Sequence, residues 1–188
     1  MRISWKRTAA AWLLCAAAGA ASFNLPRSTA EAVVKRWAPP SASAGRALLG
    51  EYGLPDDVTP WRVTWNDRGP WTRVAVWNRK PVYRSQGDLS VMEHTIAYPL
   101  TSAQAVALMA YSASLTVDLA RGELGSRGLT EADDYVNLNL AHEVAAGLKT
   151  PAQAAAAGER IRELAAAGKS SPYATGLLFT PARRRVNK

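Results

Sequence analysis

The chain is poor in the residues on which most site chemistry is built. Its 188 residues include one cysteine, Cys15, and two histidines, His94 and His142. One thiol excludes a disulfide framework within the chain and any thiolate-rich zinc arrangement. The two histidines stand far apart in the sequence. His142-Glu143 opens like the H-E-x-x-H zinc motif, but position 146 is alanine, so the second histidine ligand is missing. Neither G-x-S-x-G, nor G-x-x-x-x-G-K-[ST], nor G-x-G-x-x-G occurs. Gly45 and Gly50 have the phosphate-loop spacing, but Glu51 follows where lysine is required, and Gly125-Ser126-Arg127-Gly128 reads as a turn. No apolar run reaches the 18 residues that would demand a bilayer-spanning helix. The expectation is a chain with no cofactor and no metal.

What the N-terminal segment does contain is a leader pattern. Arg2, Lys6 and Arg7 precede the uncharged stretch from Thr8 to Ala21, which closes on the small-x-small site Ala18-Gly19-Ala20. A basic start, a short apolar run and a small-residue exit read as a signal peptide over residues 1–20. The expected address is periplasmic or secreted, with anchoring by an uncleaved segment as the alternative. A lipid anchor on Cys15 fits less well, because Trp12, Leu13 and Leu14 occupy positions where small residues belong.

The formal charge is +8, from 23 basic and 15 acidic residues. Removing the three leader cations leaves 20 against 15, a charge of +5, and Arg183, Arg184, Arg185 and Lys188 supply four of those five. The basicity therefore sits in one segment and not on a folded face, which argues against a nucleic-acid partner. Residues 21–42, with Pro26, Pro39, Pro40 and Ser41-Ala42-Ser43-Ala44, read as a flexible linker within which a short helix from Ala30 to Trp37 fits. One domain is expected over 43–180, followed by a basic, disordered tail over 181–188.

Within that domain the expected class is α+β: a three-stranded antiparallel meander with helices packed on one face, mostly C-terminal. A helix from Ser43 to Tyr52 stops at Gly53 and Pro55. Strands follow at Trp61–Trp65, Trp71–Asn78 and Leu89–Tyr98. Thr101-Ser102-Ala103-Gln104 is a capping box for a helix to about Ser114. Thr130-Glu131-Ala132-Asp133 starts a second helix running to Gly147, and Thr150-Pro151 starts a third ending at Gly168.

Four tryptophans, Trp61, Trp65, Trp71 and Trp77, crowd the first hairpin. Alternation along strands puts Trp61, Val63 and Trp65 on one face and Arg62 and Thr64 on the other. On the second strand, Val74 and Val76 make a core pair, and inward placement of that pair turns Trp71, Arg73 and Trp77 outward. Trp61 and Trp65 are expected in the core, whereas Trp71, Arg73 and Trp77 form the candidate binding surface for an extended polymer or a protein. The competing reading makes all four packing residues. Met92, His94, Ile96 and Tyr98 share a face, and a lone histidine on an apolar stripe, as at His142, reads as a hydrogen-bonded packing residue. Glu123, Glu131, Asp133, Asp134 and Glu143 are close in sequence and leave room for a carboxylate-pair hydrolase. However, Glu131, Asp133 and Asp134 are explained as first-turn charges.

The stretch RALLGEYGLPDDVTPWRVTW, with GPW after it and SPYATGLLF later, resembles a family of small exported bacterial proteins with no assigned activity. A helix ending in LLGEYGLPDD ahead of a Trp-rich hairpin is also similar to BamE-like outer-membrane assembly lipoproteins, which place a helix, G-x-P and then antiparallel strands. This chain departs from them in lacking a lipobox and in adding three C-terminal helices. The expectation is a non-enzymatic exported protein acting by protein–protein contact in the cell envelope. The alternatives are a cell-wall glycan-binding module using exposed tryptophans and a carboxylate-based hydrolase.

Overall fold

The computed structural model describes residues 27–79 and 90–182. The expected signal peptide, the loop at 85–88, the first residue of the expected third strand and most of the basic tail lie outside the described residues. Five helices and six strands are described: α1 (Arg27–Lys35), α2 (Pro39–Tyr52), β1 (Asp57–Thr59), β2 (Arg62–Arg68), β3 (Trp71–Trp77), β4 (Met92–Ala97), α3 (Ser102–Tyr111), β5 (Leu115–Asp118), β6 (Glu123–Gly128), α4 (Glu131–Ala145) and α5 (Pro151–Ala166). The strands form one antiparallel sheet in the order β1-β2-β3-β4-β6-β5. The class is α+β as expected, but the sheet is twice the width of a three-stranded meander.

Residues 27–35 and 39–42 are helical, where a linker was expected. Ala30, Val33, Val34 and Trp37 recur at helical spacing, so one stripe of α1 is apolar, and Ala30, Val34 and Trp37 are buried. The Trp37 indole N–H donates to the carbonyl of Pro60 at 2.8 Å. Pro39 and Pro40 do not break the chain here. They occupy the first turn of α2, where a proline's missing N–H would have no helical partner in any case. Gly45 lets the two helices meet, since a Cβ there would lie 2.8 Å from Val34 Cγ1.

The three later helices start where capping chemistry puts them. Thr101 with Gln104, Thr130 with Asp133 and Thr150 with Gln153 form complete capping boxes. Helices α1 to α4 contact the sheet, and α5 packs on α3 and α4. The helix-covered face carries Val63 and Trp65 from β2, Val74 and Val76 from β3, Met92, His94 and Ile96 from β4, and Leu115 and Leu124 from the β5–β6 hairpin. Leu177 and Phe179 pack against this core and hold the segment after α5 in place. Asn139 fastens the same segment: its amide donates to the carbonyls of Tyr173 and Gly176, and its oxygen accepts from the N–H of Leu178.

The sequence reading missed β1, β5 and β6. ELGSRG carries two glycines and little strand propensity, yet it lies between β4 and β5 and pairs with both. Gly125 is required there: a Cβ would lie 2.3 Å from Thr116 Oγ1 and 3.2 Å from Thr95 Oγ1. Both threonines are β-branched and stiff at χ1, so neither retreats freely. Gly125→Ala is expected to cost about 1–3 kcal/mol, the usual range for overpacking. Adding Thr116→Ala should recover most of the loss, with both differences read from urea unfolding midpoints.

Candidate functional site

The sheet divides the polar chemistry of the chain into two groups, one under the helices and one on the opposite face. The first centres on His94. Its neighbours along β4, Met92 and Ile96, are core residues, so alternation carries the imidazole into the helix-covered side, where it is fully buried. A buried imidazole must find partners. Asp134, in the first turn of α4, supplies one, with Nδ1 to Oδ2 at 2.7 Å and no exposure of either side chain. Nε2 faces Glu131 Oε1 at 4.0 Å, beyond hydrogen-bond length. That same Glu131 oxygen accepts hydrogen bonds from the Tyr52 hydroxyl at 2.8 Å, the Trp71 indole N–H at 2.8 Å and the Tyr135 hydroxyl at 3.2 Å. The Trp71 ring lies 4.7 Å from the His94 ring and 5.0 Å from that of Tyr135, centroid to centroid.

These contacts correct the expectation for Trp71. Strict alternation would turn it outward beside Arg73, but it is 2% exposed. Asp67, opposite Thr72 in the hairpin, has a left-handed backbone with φ 52°, and the ring crosses to the helix side to reach Glu131. The expectation for Trp61 fails in the other direction. It precedes β2 and is 66% exposed, while Trp65 is core as expected and donates its indole N–H to the Gly53 carbonyl at 3.1 Å.

Burial raises the Asp134 carboxyl to about 6, against the opposing pull of its hydrogen bond with His94. Burial, and then the adjacent Glu131 carboxylate, raises the Tyr135 phenol to about 12 and Tyr52 further still, so both remain hydrogen-bond donors. Glu51, at the rim of the group, is raised first by burial and then by Glu131. Perturbed carboxyls mark functional sites and structural ion-pair networks alike. Here Glu131 Oε1 is saturated by three donors from α2, β3 and α4, and His94 has no exposure. The group therefore fastens the helix layer to the sheet.

The second group lies on the face that no described helix covers. Register places Arg73, Glu93, Thr95, Glu123, Gly125, Arg127, Thr116 and Asp118 there together. The Arg73 guanidinium spans two acids, with Nη2 to Glu93 Oε1 at 3.5 Å and Nη1 to Glu123 Oε2 at 3.5 Å. Arg127 Nε meets the other Glu93 oxygen at 2.7 Å. Arg73 Nη2 also donates to Thr95 Oγ1 at 3.3 Å. Between these side chains and the β5–β6 hairpin is a depression of about 100 Å3. Drug-sized ligands need roughly 300–1,000 Å3, so this one accommodates a side-chain head group and not a cofactor.

Of the three residues expected to form one surface, Arg73 and Trp77 are on this open face and Trp71 is on the other. Trp77 is half-buried, with the Arg79 guanidinium 5.5 Å from its ring centroid. Glu93, Thr95 and Arg127 were not singled out as site residues by the sequence, and Glu123 was singled out only as one of five candidate acids. Their signal is the alternation of Glu93 and Thr95 with the apolar residues of β4, and it extends to Glu123 and Arg127 once ELGSRG is a strand. The five acids that are close in sequence separate in space. Glu123 is on the open face, Glu131 and Asp134 join His94, Asp133 caps α4, and Glu143 accepts from the Tyr173 hydroxyl at 2.7 Å and pairs with Lys149 at 2.9 Å. Among the described residues, no group of three or more His, Cys, Asp or Glu side chains is placed to hold a metal ion.

No family model, curated protein or solved structure matches the chain.

Removing one partner of a buried pair leaves the other uncompensated, so His94→Ala is expected to cost about 3–5 kcal/mol, read from urea unfolding. The Asp134 carboxyl is higher in the folded state than its ordinary 3.8. Its contribution to stability is therefore fully present below about 3.8 and is lost as pH rises through about 6. In Asp134→Asn that decline should disappear from the difference between unfolding midpoints measured on either side of this window.

Proposed function

We propose that the chain is a non-enzymatic contact protein of the cell envelope and that the open face of its sheet receives a protein partner. The observation carrying this reading is the segregation of the fold. Every described helix packs on one side, while the other presents an ordered set of paired charges around a depression too small for a cofactor. A surface with charges already held in place favours recognition of a complementary partner, because little side-chain freedom is lost on contact. The leader pattern in the sequence supports the envelope as the address. Glycan binding is a second reading, favoured by the exposure of Trp61. Trp61 borders β2 close to the end of β3 that carries Trp77, where the Asn78 N–H donates to the Trp61 carbonyl at 2.8 Å. This neighbouring pair would take the role first expected of Trp71 and Trp77.

A photo-crosslinking residue placed at Asn66 or at Trp77 on the open face should capture one discrete envelope protein. The same residue placed at Ala155 on α5 should not. Arg73→Ala should remove most of the capture while circular dichroism shows the fold retained. Equal capture from all three positions, or capture indifferent to Arg73, would contradict the reading. Saturable binding of cell-wall oligosaccharides that is lost in Trp61→Ala would favour the glycan alternative.

A further inference from the structure

Two buried atoms beneath the helices, His94 Nε2 and Asp134 Oδ1, have no hydrogen-bond partner among the described residues. Buried polar atoms ordinarily find partners, so both orphans restrict where the hydrogens of this pair can be. Nε2 faces Glu131 Oε1 at 4.0 Å. That oxygen already accepts from the Tyr52 hydroxyl, the Trp71 indole N–H and the Tyr135 hydroxyl, so it has no hydrogen to offer Nε2. A bare Nε2 would set two acceptors against each other, whereas an Nε2 carrying hydrogen aims a donor at a negative charge. Nδ1 and Asp134 Oδ2, 2.7 Å apart, share a second hydrogen, whichever atom holds it. Seated as the structure shows it, the pair therefore carries two hydrogens. It is an imidazolium against a carboxylate, or an imidazole with Nε2–H against a carboxylic acid, and the count is the same in both.

Loss of one hydrogen changes the electrostatics of the whole junction. The groups around the pair are Glu131, Asp133 and Tyr135 from α4, Glu51 and Tyr52 from α2, the Trp71 ring from β3 and Ser126, the register partner of His94, from β6. None of these is a cation, and neither Glu131 nor Asp134 pairs with a described arginine or lysine. With one hydrogen left, the pair is an anion beside the Glu131 carboxylate. Asp134 Oδ1 has no room to be relieved, because it is packed against β6, where a Cβ on Gly128 would lie 2.9 Å from it. Like charges so placed repel strongly in a buried setting, and separating the elements that meet at Glu131 relieves the repulsion. We propose that the His94–Asp134 pair is an acid-held latch: with a hydrogen on Nε2 it seats α2 and α4 on the sheet through Glu131, and on losing that hydrogen it loosens the contacts of Tyr52 and Trp71. The sign follows from Asp134, whose carboxyl is raised from 3.8 to about 6 in the folded chain. The seated form holds the extra hydrogen more tightly than the loosened form, so the latch is fully set below about 3.8 and is lost as pH rises through about 6. The latch is independent of the open face and of its partner.

The test uses the full chain with histidine and tryptophan isotopically labelled on nitrogen, read by NMR at about pH 5 and about pH 7, on either side of the Asp134 value of about 6. His94 Nε2 should show a directly bonded hydrogen at the lower pH and none at the higher. Solvent exchange of the Trp71 indole N–H is followed in the same samples as a ratio to that of Trp65, whose indole N–H donates to the Gly53 carbonyl. The ratio cancels the pH dependence of exchange itself. For a carboxyl that moves between 3.8 and about 6, the ratio should rise about tenfold from the lower pH to the higher. Glu131→Gln keeps an oxygen for the three donors and removes the charge, so in that variant the rise should disappear. An Nε2 without hydrogen at the lower pH would overturn the proposal. So would a ratio that is the same at both pH values in the wild-type chain, a measurement that decides the matter even where Glu131→Gln fails to fold. A rise of equal size in Glu131→Gln would also overturn it, because the loosening would then have another cause.

Discussion

A single carboxylate oxygen organises the helix side of this protein. Glu131 Oε1 accepts hydrogen bonds from Tyr52 at the end of α2, Trp71 at the start of β3 and Tyr135 one turn along α4, and it faces the buried His94–Asp134 pair of β4 and α4. Elements far apart in sequence converge on one acceptor. Glu131 is also in the first turn of α4, where the helix dipole favours a negative charge, so local and tertiary demands agree at that position. The arrangement explains why Trp71 leaves the face that alternation assigns it. A ring that buries a large area and finds an acceptor for its N–H is better placed beneath the helices than beside Arg73 in water.

With the helix side closed in this way, the other side of the sheet is left polar. Its ion pairs are not a source of stability in themselves, since desolvation offsets much of the attraction when charges are partly buried. Their effect is on position. Arg73 is held between Glu93 and Glu123, and Arg127 is held by Glu93. The same side ends at Ala97, where the chain returns through Ala182. Ala182 is therefore attached to this sheet through the strand that carries Glu93 and Thr95.

Much of this was legible in the sequence, and what was not has identifiable physical causes. The capping boxes at Thr101, Thr130 and Thr150 fixed three helix starts because capping is a local interaction, readable from neighbouring side chains. The core placement of Trp65, Val74 and Val76 followed from strand alternation. Three strands escaped notice. β1 and β5 are short, and β6 has glycines where propensity asks for β-branched residues. Gly125 is there for the sake of Thr116 and Thr95, which are not its sequence neighbours, so only tertiary packing explains it. Pro39 and Pro40 suggested a break because a proline pair ends one helix as readily as it starts the next. The His94 partnership was hidden because Glu131 and Asp134 already had a sufficient local explanation as first-turn charges. Glu93 stands beside Arg73 through the β3–β4 pairing, and Glu123, one of the candidate acids, reaches Arg73 only because ELGSRG forms β6.

The two-sided sheet is the claim on which the functional reading stands, and the tryptophans report on both sides at once. The most direct measurement is fluorine NMR of the chain labelled with 5-fluorotryptophan, with each resonance assigned by Trp→Phe substitution and a soluble paramagnetic agent added. The account predicts that Trp61 broadens strongly and Trp77 partly, while Trp37, Trp65 and Trp71 remain sharp. A Trp71 resonance broadened as much as that of Trp61 would place its ring in solvent. That result would contradict both the Glu131 junction and the assignment of the working face.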